Sequence, residues 1–179
     1  MVSNLAQAAT SPQSGTLLFP YYQASEVLNS ATAHHYAKDT AALSEELKQL
    51  SRVTRQYCNG NSSQTQLKAV KEQSLKTYLS WLELSAVVLG PMLQNNVVRQ
   101  VDFRPLRLNL LERAIQKQAQ GKQDMALVGS PAKGFPAFEY LVQQAQFQPG
   151  TPQCKYAEEV VLDISRTIDQ LKWPIGDFV

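Results

Sequence analysis

The sequence predicts an all-α protein, an antiparallel bundle of four to five main helices. Apolar residues recur at spacings of three and four over several long segments, as they do on one face of a helix. Valine and isoleucine do not alternate with polar residues over any convincing stretch, so no strand is predicted. Long helices joined by short loops pack as antiparallel neighbours.

The first two predicted helices precede a turn at residues 58–61. One helix covers Tyr21 to Lys38. The second ends in the turn Cys58-Asn59-Gly60-Asn61, whose composition favours left-handed backbone. The apolar face of this second helix carries Leu43, Leu47, Leu50, Val53 and Tyr57.

Three further segments follow the same periodicity. A third helix starts after Ser63 or Thr65, either of which is a capping residue. It stops near Gly90-Pro91, because the residue before proline disfavours helical geometry. The fourth helix carries Leu110, Leu111, Ala114 and Ile115 and ends near Gly121. The last carries Tyr156, Val160, Ile164, Ile168 and Leu171, and Trp173-Pro174-Ile175-Gly176 closes it.

Length and charge limit the domain count and the partners. The chain has 179 residues, which we divide into a flexible leader at 1–18 and one helical domain at 19–179. Seventeen basic and fifteen acidic residues give a net charge of +2 without a basic stripe, so no nucleic-acid partner is predicted.

No apolar run approaches the roughly 20 residues of a membrane span. The N-terminus is not a signal peptide as it stands, so either export was never intended or the signal has been removed.

The cysteines and histidines give few candidate metal ligands. Cys58 and Cys154 form no Cys-x-x-Cys or Cys/His cluster, which excludes a zinc knuckle. The residues alone leave open whether they are two unrelated buried thiols or a disulfide between helix boundaries. The two histidines, His34 and His35, are adjacent, and adjacent helical residues point about 100° apart, so at most one faces any site. We expect them on a partly exposed helix face.

Two segments carry the remaining candidate residues. In Ser130 to Val142 a loop leads into a helix, with Pro136 at the first helical position and Glu139 in the first turn, where a negative charge suits the helix dipole. Asp102 and Arg104 precede Pro105, which places them in an extended or turn segment. From the residues alone, this pair is a local salt bridge or a cap at the start of a helix.

Residues 133–141, Lys-Gly-Phe-Pro-Ala-Phe-Glu-Tyr-Leu, resemble the signature of the imelysin-like proteins, which also include predicted iron-uptake components. Three other segments are similar to the family in the same order: residues 81–91, residues 101–115 and Cys154-Lys155-Tyr156. The resemblance covers most of the chain from about Tyr21 onward and corresponds to the first half of the family fold. The C-terminal half of that fold is therefore expected to be missing.

The resemblance also implies a function, although one position departs from the family pattern. Gly134 and Glu139 match the family's proposed peptidase motif Gly-x-His-x-x-Glu, but Pro136 occupies the histidine position and offers no metal ligand. The implied function is a non-catalytic binding protein linked to iron or haem acquisition. The alternatives are a metallopeptidase that uses Glu139 with ligands from elsewhere, and a purely structural or protein-interaction bundle.

The resemblance further implies a site and a location. Asp102, Arg104, Gly134 and Glu139 would line one polar pocket, with Arg104 holding an anionic group in bidentate fashion. Glu139 would be the catalytic residue or the metal ligand if there is one, with iron or another divalent metal as the ligand class. The protein would be periplasmic or associated with the outer membrane, with membrane tethering through a removed N-terminal signal as in a lipoprotein. Exported relatives also imply a disulfide between Cys58 and Cys154.

Overall fold

A computed structural model of the protein describes residues 22–121 and 124–171. Within these residues every regular element is a helix and there is no strand, which confirms the all-α prediction. The eight α-helices are α1 (Ala24–Ala31), α2 (Ala37–Cys58), α3 (Gln64–Ser85), α4 (Gly90–Gln94), α5 (Val97–Val101), α6 (Leu108–Ala119), α7 (Gly134–Gln143) and α8 (Pro152–Asp169). The predicted leader at 1–18 and the closing segment at 173–176 lie outside the described residues.

The first two predicted helices are joined, so the predicted break after Lys38 is wrong. A π-helical turn, Thr32–Tyr36, connects α1 directly to α2. The chain has no glycine or proline between Ala24 and Cys58, so no residue there favours an end to the helix. Tyr36 is buried in this turn, and its hydroxyl donates to the carbonyl of Val87 at 2.7 Å.

The third helix starts as predicted and ends earlier than predicted. Ser63 caps α3, because its Oγ accepts from the Gln66 N–H at 3.4 Å. The prediction that this helix runs to Gly90-Pro91 is wrong: α3 ends at Ser85, and Gly90-Pro91 opens α4. Proline is tolerated in the first turn of a helix, where its missing N–H has no intrahelical partner to lose.

Helix α2 lies between two antiparallel neighbours. On one side it packs on α3, where the carbonyl of Glu46 accepts from Thr77 Oγ1 at 3.3 Å. On the other side it packs on α8, where Ser44 Oγ donates to Asp169 Oδ1 at 3.0 Å. The buried side chains of these three helices include Leu43, Leu47, Leu50, Trp81, Leu84, Val160, Ile164 and Ile168. No helix in residues 22–121 and 124–171 is long and apolar enough to cross a bilayer.

A disulfide joins α2 to α8. Cys58 is the last residue of α2, and Cys154 lies in the first turn of α8, with the two Cα atoms 5.5 Å apart. Next to this bond, Tyr57 Oη donates to the carbonyl of Phe147 at 2.9 Å, and the two rings stack with centroids 5.3 Å apart. We call these four residues the disulfide region.

Candidate ligand-binding site

Helix α7 carries the signature segment and begins two residues earlier than predicted. It starts at Gly134, so Pro136 is its third residue and Glu139 lies in its second turn. Pro136 still costs no hydrogen bond, because the first four N–H groups of a helix lack intrahelical partners. The dipole argument for Glu139 does not hold, since the effect falls off within the first turn.

Gly134 is required by backbone packing. Its φ is +77°, in the left-handed region that favours glycine. A Cβ at this position would lie 2.8 Å from the carbonyl carbon of Val101, at the end of α5, and even closer to its oxygen. The start of α7 therefore lies directly against the end of α5, which brings Asp102 close to α7.

Three residues predicted to share a pocket meet around one guanidinium. Arg104 Nε lies 3.0 Å from Asp102 Oδ1, and Arg104 Nη2 lies 3.2 Å from Glu139 Oε2. Arg104 Nη2 also donates to Tyr78 Oη at 3.2 Å. The side chain of Arg104 is 50% exposed and that of Glu139 63% exposed, so solvent reaches both charges.

Asp102 forms the inner side of this cluster. Its Oδ2 accepts from Tyr78 Oη at 3.1 Å and from Trp81 Nε1 at 3.3 Å. The Trp81 ring is buried, but its N–H and the Tyr78 hydroxyl both point to this carboxylate, which the sequence pattern did not identify. The available signal was that a buried indole N–H needs a partner and that residues three apart share a helix face. We call Tyr78, Trp81, Asp102, Arg104 and Glu139 the arginine cluster.

The surroundings of Tyr78 and Arg104 favour the protonated form of both side chains. Burial raises the pKa of Tyr78, and the negative charge of Asp102 raises it further, so the phenol remains a donor. Burial alone would lower the pKa of Arg104, but the Asp102 charge and the hydrogen bonds to Tyr78 and Glu139 outweigh it and raise the pKa. Arg104 therefore presents a full positive charge in a fixed direction.

Two grooves meet at Glu139. A groove of about 260 Å³ between α3 and α7 is lined by residues that include Lys71, Leu75, Tyr78, Phe135, Glu139 and Val142. Its floor is aromatic, with the Tyr78 and Phe135 rings in edge contact at 5.4 Å. A more open cleft of about 520 Å³ is lined by Arg104, Pro136, Glu139 and Tyr140, among others. The cluster thus borders an apolar groove on one side and an open cleft on the other.

A buried ion pair fixes the loop before α7. Lys133, the residue before Gly134, is buried, and its Nζ lies 2.9 Å from Asp163 Oδ2 on α8. Tyr156 Oη donates to the carbonyl of Ala132 at 2.8 Å, and burial, followed by the charge of Asp163, raises the pKa of Tyr156. Sequence reasoning missed this pair, because nothing in the local pattern links residue 133 to a helix 30 residues later.

The donor set does not fit the catalytic metal that a peptidase of this type would need. Pro136 supplies no ligand atom, and the carboxylates of Asp102 and Glu139 are both paired with Arg104. His35 Nδ1 instead pairs with Asp39 Oδ2 at 2.6 Å on the π-helical turn. Within residues 22–121 and 124–171, no group of three histidine, cysteine, aspartate or glutamate side chains could hold a metal ion.

The fold and the site define a helical-bundle protein with a half-exposed, arginine-centred polar cluster between two grooves. Residues 31–172 match the family model described as Imelysin (peptidase family M75), and the chain therefore belongs to the imelysin family. Comparison with curated proteins gave no match. Comparison with solved structures gave none either.

Proposed function

We propose that this protein is an exported, non-catalytic binding protein that takes up an anionic, iron-carrying ligand, such as haem or a carboxylate chelate of ferric iron. The observation that carries the proposal is Arg104, a half-exposed positive charge that lines the open cleft and contacts Glu139, which also lines the aromatic groove. The link to iron comes from the family resemblance. The disulfide between Cys58 and Cys154 supports an oxidising compartment, as expected of a periplasmic or outer-membrane-associated protein.

The geometry favours an anionic group on the ligand over a bare cation. Asp102 fixes Arg104 through Nε, while Nη1 has no hydrogen-bond partner within the described part of the chain. A ligand carboxylate can therefore bind Nη1 and Nη2 together if the exposed Glu139 side chain moves aside. In this scheme the ligand brings its own iron, and no protein side chain has to ligate the metal.

The aromatic floor of the groove suits a flat apolar body. Tyr78 and Phe135 line it, and Lys71 at its rim supplies a second cation for a second anionic group. Haem combines a flat apolar ring with two carboxylates, whereas a hydrated metal ion offers neither feature. The structure therefore supports recognition of the organic part of the ligand.

A calorimetric titration with five ligands tests the proposal. Haem and metal-free protoporphyrin should bind with similar affinity, since the protein recognises the carboxylates and the ring. Haem dimethyl ester, which lacks free carboxylates, should bind at least about tenfold more weakly, the equivalent of roughly 1.4 kcal/mol. Ferric and zinc ions alone should not bind. Tight binding of the bare ions, or equal binding of haem and its dimethyl ester, would contradict the proposal.

The metallopeptidase alternative rests on the family's name and on the surviving Glu139. It predicts protein cleavage that a chelator abolishes and that Glu139→Gln removes. Our proposal predicts no cleavage by the wild-type chain under any metal supplementation. Chelator-sensitive cleavage that the Glu139→Gln variant lacks would establish the alternative.

The third function, a structural or interaction bundle, predicts no small-molecule ligand at all. It would have been favoured if Asp102, Arg104 and Glu139 pointed to separate surfaces, but they form one cluster. If none of the five ligands produces heat in the titration, the structural function is preferred. Fractionation of cells that express the native gene would test the proposed export and the tethering through a removed signal.

A further inference from the structure

Helix α3 carries a stripe of exposed leucines on its outer face. Leu75, Leu79 and Leu82 are 61%, 51% and 44% exposed. Their spacings of four and three place them on one line along the helix, the spacing of a coiled-coil seam. Contiguous exposed apolar patches mark interaction surfaces, whereas single scattered apolar residues on a surface need no explanation.

Two opposite charges flank the stripe on the same side. Lys76 and Glu83 are seven residues apart, which is two helical turns, and both are exposed. Lys76 Nζ contacts Glu46 Oε1 at 2.9 Å and stays largely in solvent. Glu83 makes no ion pair within the described part of the chain. The flank of the stripe is therefore positive near Leu75 and negative near Leu82.

We propose that this stripe is a homodimer interface in which α3 pairs antiparallel with α3 of a second copy about a two-fold axis at Leu79. This register places Leu75 of one copy against Leu82 of the other, and the two Leu79 side chains against each other. It also places Lys76 beside Glu83 of the second copy, twice by symmetry. A two-fold interface uses the same patch on both copies, as this one does.

The charges select the antiparallel orientation. In a parallel pairing in register, the symmetry places each flank of the stripe against the opposite flank of the second copy, so Lys76 and Glu83 of the two copies do not meet. In the antiparallel pairing the same flank of both copies meets, which brings Lys76 beside Glu83 twice. A lipid surface would not require this charge order, and a different protein partner would not require the symmetry about Leu79.

The dimer bears on the candidate binding site without depending on its proposed function. Leu75 also lines the groove between α3 and α7. In the proposed register, Leu82 of the second copy lies next to Leu75 and forms an extra wall of that groove. Each copy thus borders the other's groove at its apolar end, away from Arg104.

Cysteine cross-linking tests the register directly. A Leu79→Cys variant should form a disulfide-linked dimer under mild oxidation, because the two-fold axis places the two new cysteines together. Leu75→Cys and Leu82→Cys should each cross-link poorly alone but form a heterodimer when mixed. Leu127→Cys is the control, since Leu127 is 83% exposed and lies outside the stripe. Cross-linking of Leu79→Cys no greater than that of Leu127→Cys overturns the proposal, as does efficient self-linking of Leu75→Cys.

Charge exchange tests the pairing without new cysteines. Sedimentation velocity over a range of concentrations should show the wild-type chain shifting from monomer to dimer. Glu83→Lys should weaken dimerisation at least about tenfold, because it brings two lysines together. The double variant Lys76→Glu/Glu83→Lys, made in a Glu46→Gln background because Lys76 pairs with Glu46 in the wild type, should restore it. A wild-type chain that stays monomeric at every concentration, or a double variant no better than the single one, overturns the proposal.

Discussion

The disulfide region and the arginine cluster are built alike, but the first is buried and cross-linked, whereas the second is partly exposed to solvent. Each centres on a tyrosine hydroxyl that joins segments distant in sequence: Tyr57 donates to Phe147, and Tyr78 donates to Asp102. Around Tyr57 the aromatic rings are buried and the chain is cross-linked covalently. Around Tyr78 the two outer charges, Arg104 and Glu139, remain half-exposed or more.

This difference separates stability from recognition. A fully buried hydrogen bond contributes to the free energy of unfolding, and losing it leaves a buried polar group without a partner. Exposed ion pairs contribute little to stability, because water and salt screen them. We therefore expect the disulfide region to stabilise the bundle and the arginine cluster to contribute little to its stability, which is compatible with the binding role proposed for it.

The largest expected effect on stability is that of the disulfide. Replacing both Cys58 and Cys154 with alanine opens a loop of 96 residues and should lower the free energy of unfolding by about 4 kcal/mol. Urea denaturation followed by circular dichroism measures this loss. Ligand binding by the variant that remains folded should be unchanged. Wild-type protein treated with a reductant is the control and should lose the same amount, and a loss below about 1 kcal/mol in both would contradict the comparison.

The two tyrosines give a matched pair of smaller effects. Tyr57→Phe removes the hydrogen bond to the buried carbonyl of Phe147 and should cost about 1–2 kcal/mol of unfolding free energy. Tyr78→Phe should cost about 1 kcal/mol or less, since Asp102 keeps its bonds to Trp81 and Arg104. Binding should respond in the opposite order, with a loss in Tyr78→Phe only. Equal stability losses in the two variants would remove the distinction between the regions.

The smallest expected effect is a pH dependence at Glu46, which lies in neither region. The hydrogen bond from Lys76 lowers the pKa of Glu46, burial opposes it with a smaller effect, and the hydrogen bond from Gln73 and the charge of Lys76 then lower the pKa further. Its folded-state pKa therefore lies below the ordinary value of 4.5. The stability that this carboxylate contributes is fully present above that value and is lost as the pH falls through the folded-state pKa.

The variant Glu46→Gln measures this contribution. The wild-type chain should be slightly more stable than Glu46→Gln at pH 7, and the difference should shrink as the pH is lowered through the folded-state pKa of Glu46, which lies below 4.5. Urea denaturation at pH 7 and at lower pH gives the differences. A gap that persists unchanged at the lower pH would show that the ion pair with Lys76 is not its source.

Helical periodicity predicted the fold class because each long helix buries one continuous apolar face. Leu43, Leu47 and Leu50 are all fully buried, as their spacing indicated. The wrong predictions concern helix ends, where a glycine-proline pair can either end one helix or open the next. Gly90-Pro91 terminates a helix as readily as it opens one, and in the structure it opens α4, with Met92 buried in the core.

The charged residues of the candidate site could be predicted from the sequence, but the aromatic residues that contact them could not. Asp102, Arg104 and Glu139 stood out through the family resemblance. Tyr78 and Trp81 did not. The sequence pattern shows that they lie on a largely apolar helix face, but it does not show that their polar atoms point towards a carboxylate 20 or more residues away. The role of Gly134 also required the structure, since it depends on the approach of Val101.

The central claim is that the arginine cluster is present for binding, and one variant tests it most directly. Haem affinity and urea stability would be measured on the same preparations of wild type, Arg104→Gln and Arg113→Gln, the last an exposed arginine of α6 outside the cluster. We predict that Arg104→Gln weakens haem binding at least about tenfold and changes the free energy of unfolding by less than about 1 kcal/mol, whereas Arg113→Gln changes neither. Undiminished binding by Arg104→Gln, or a stability loss as large as that of Tyr57→Phe, would contradict the claim.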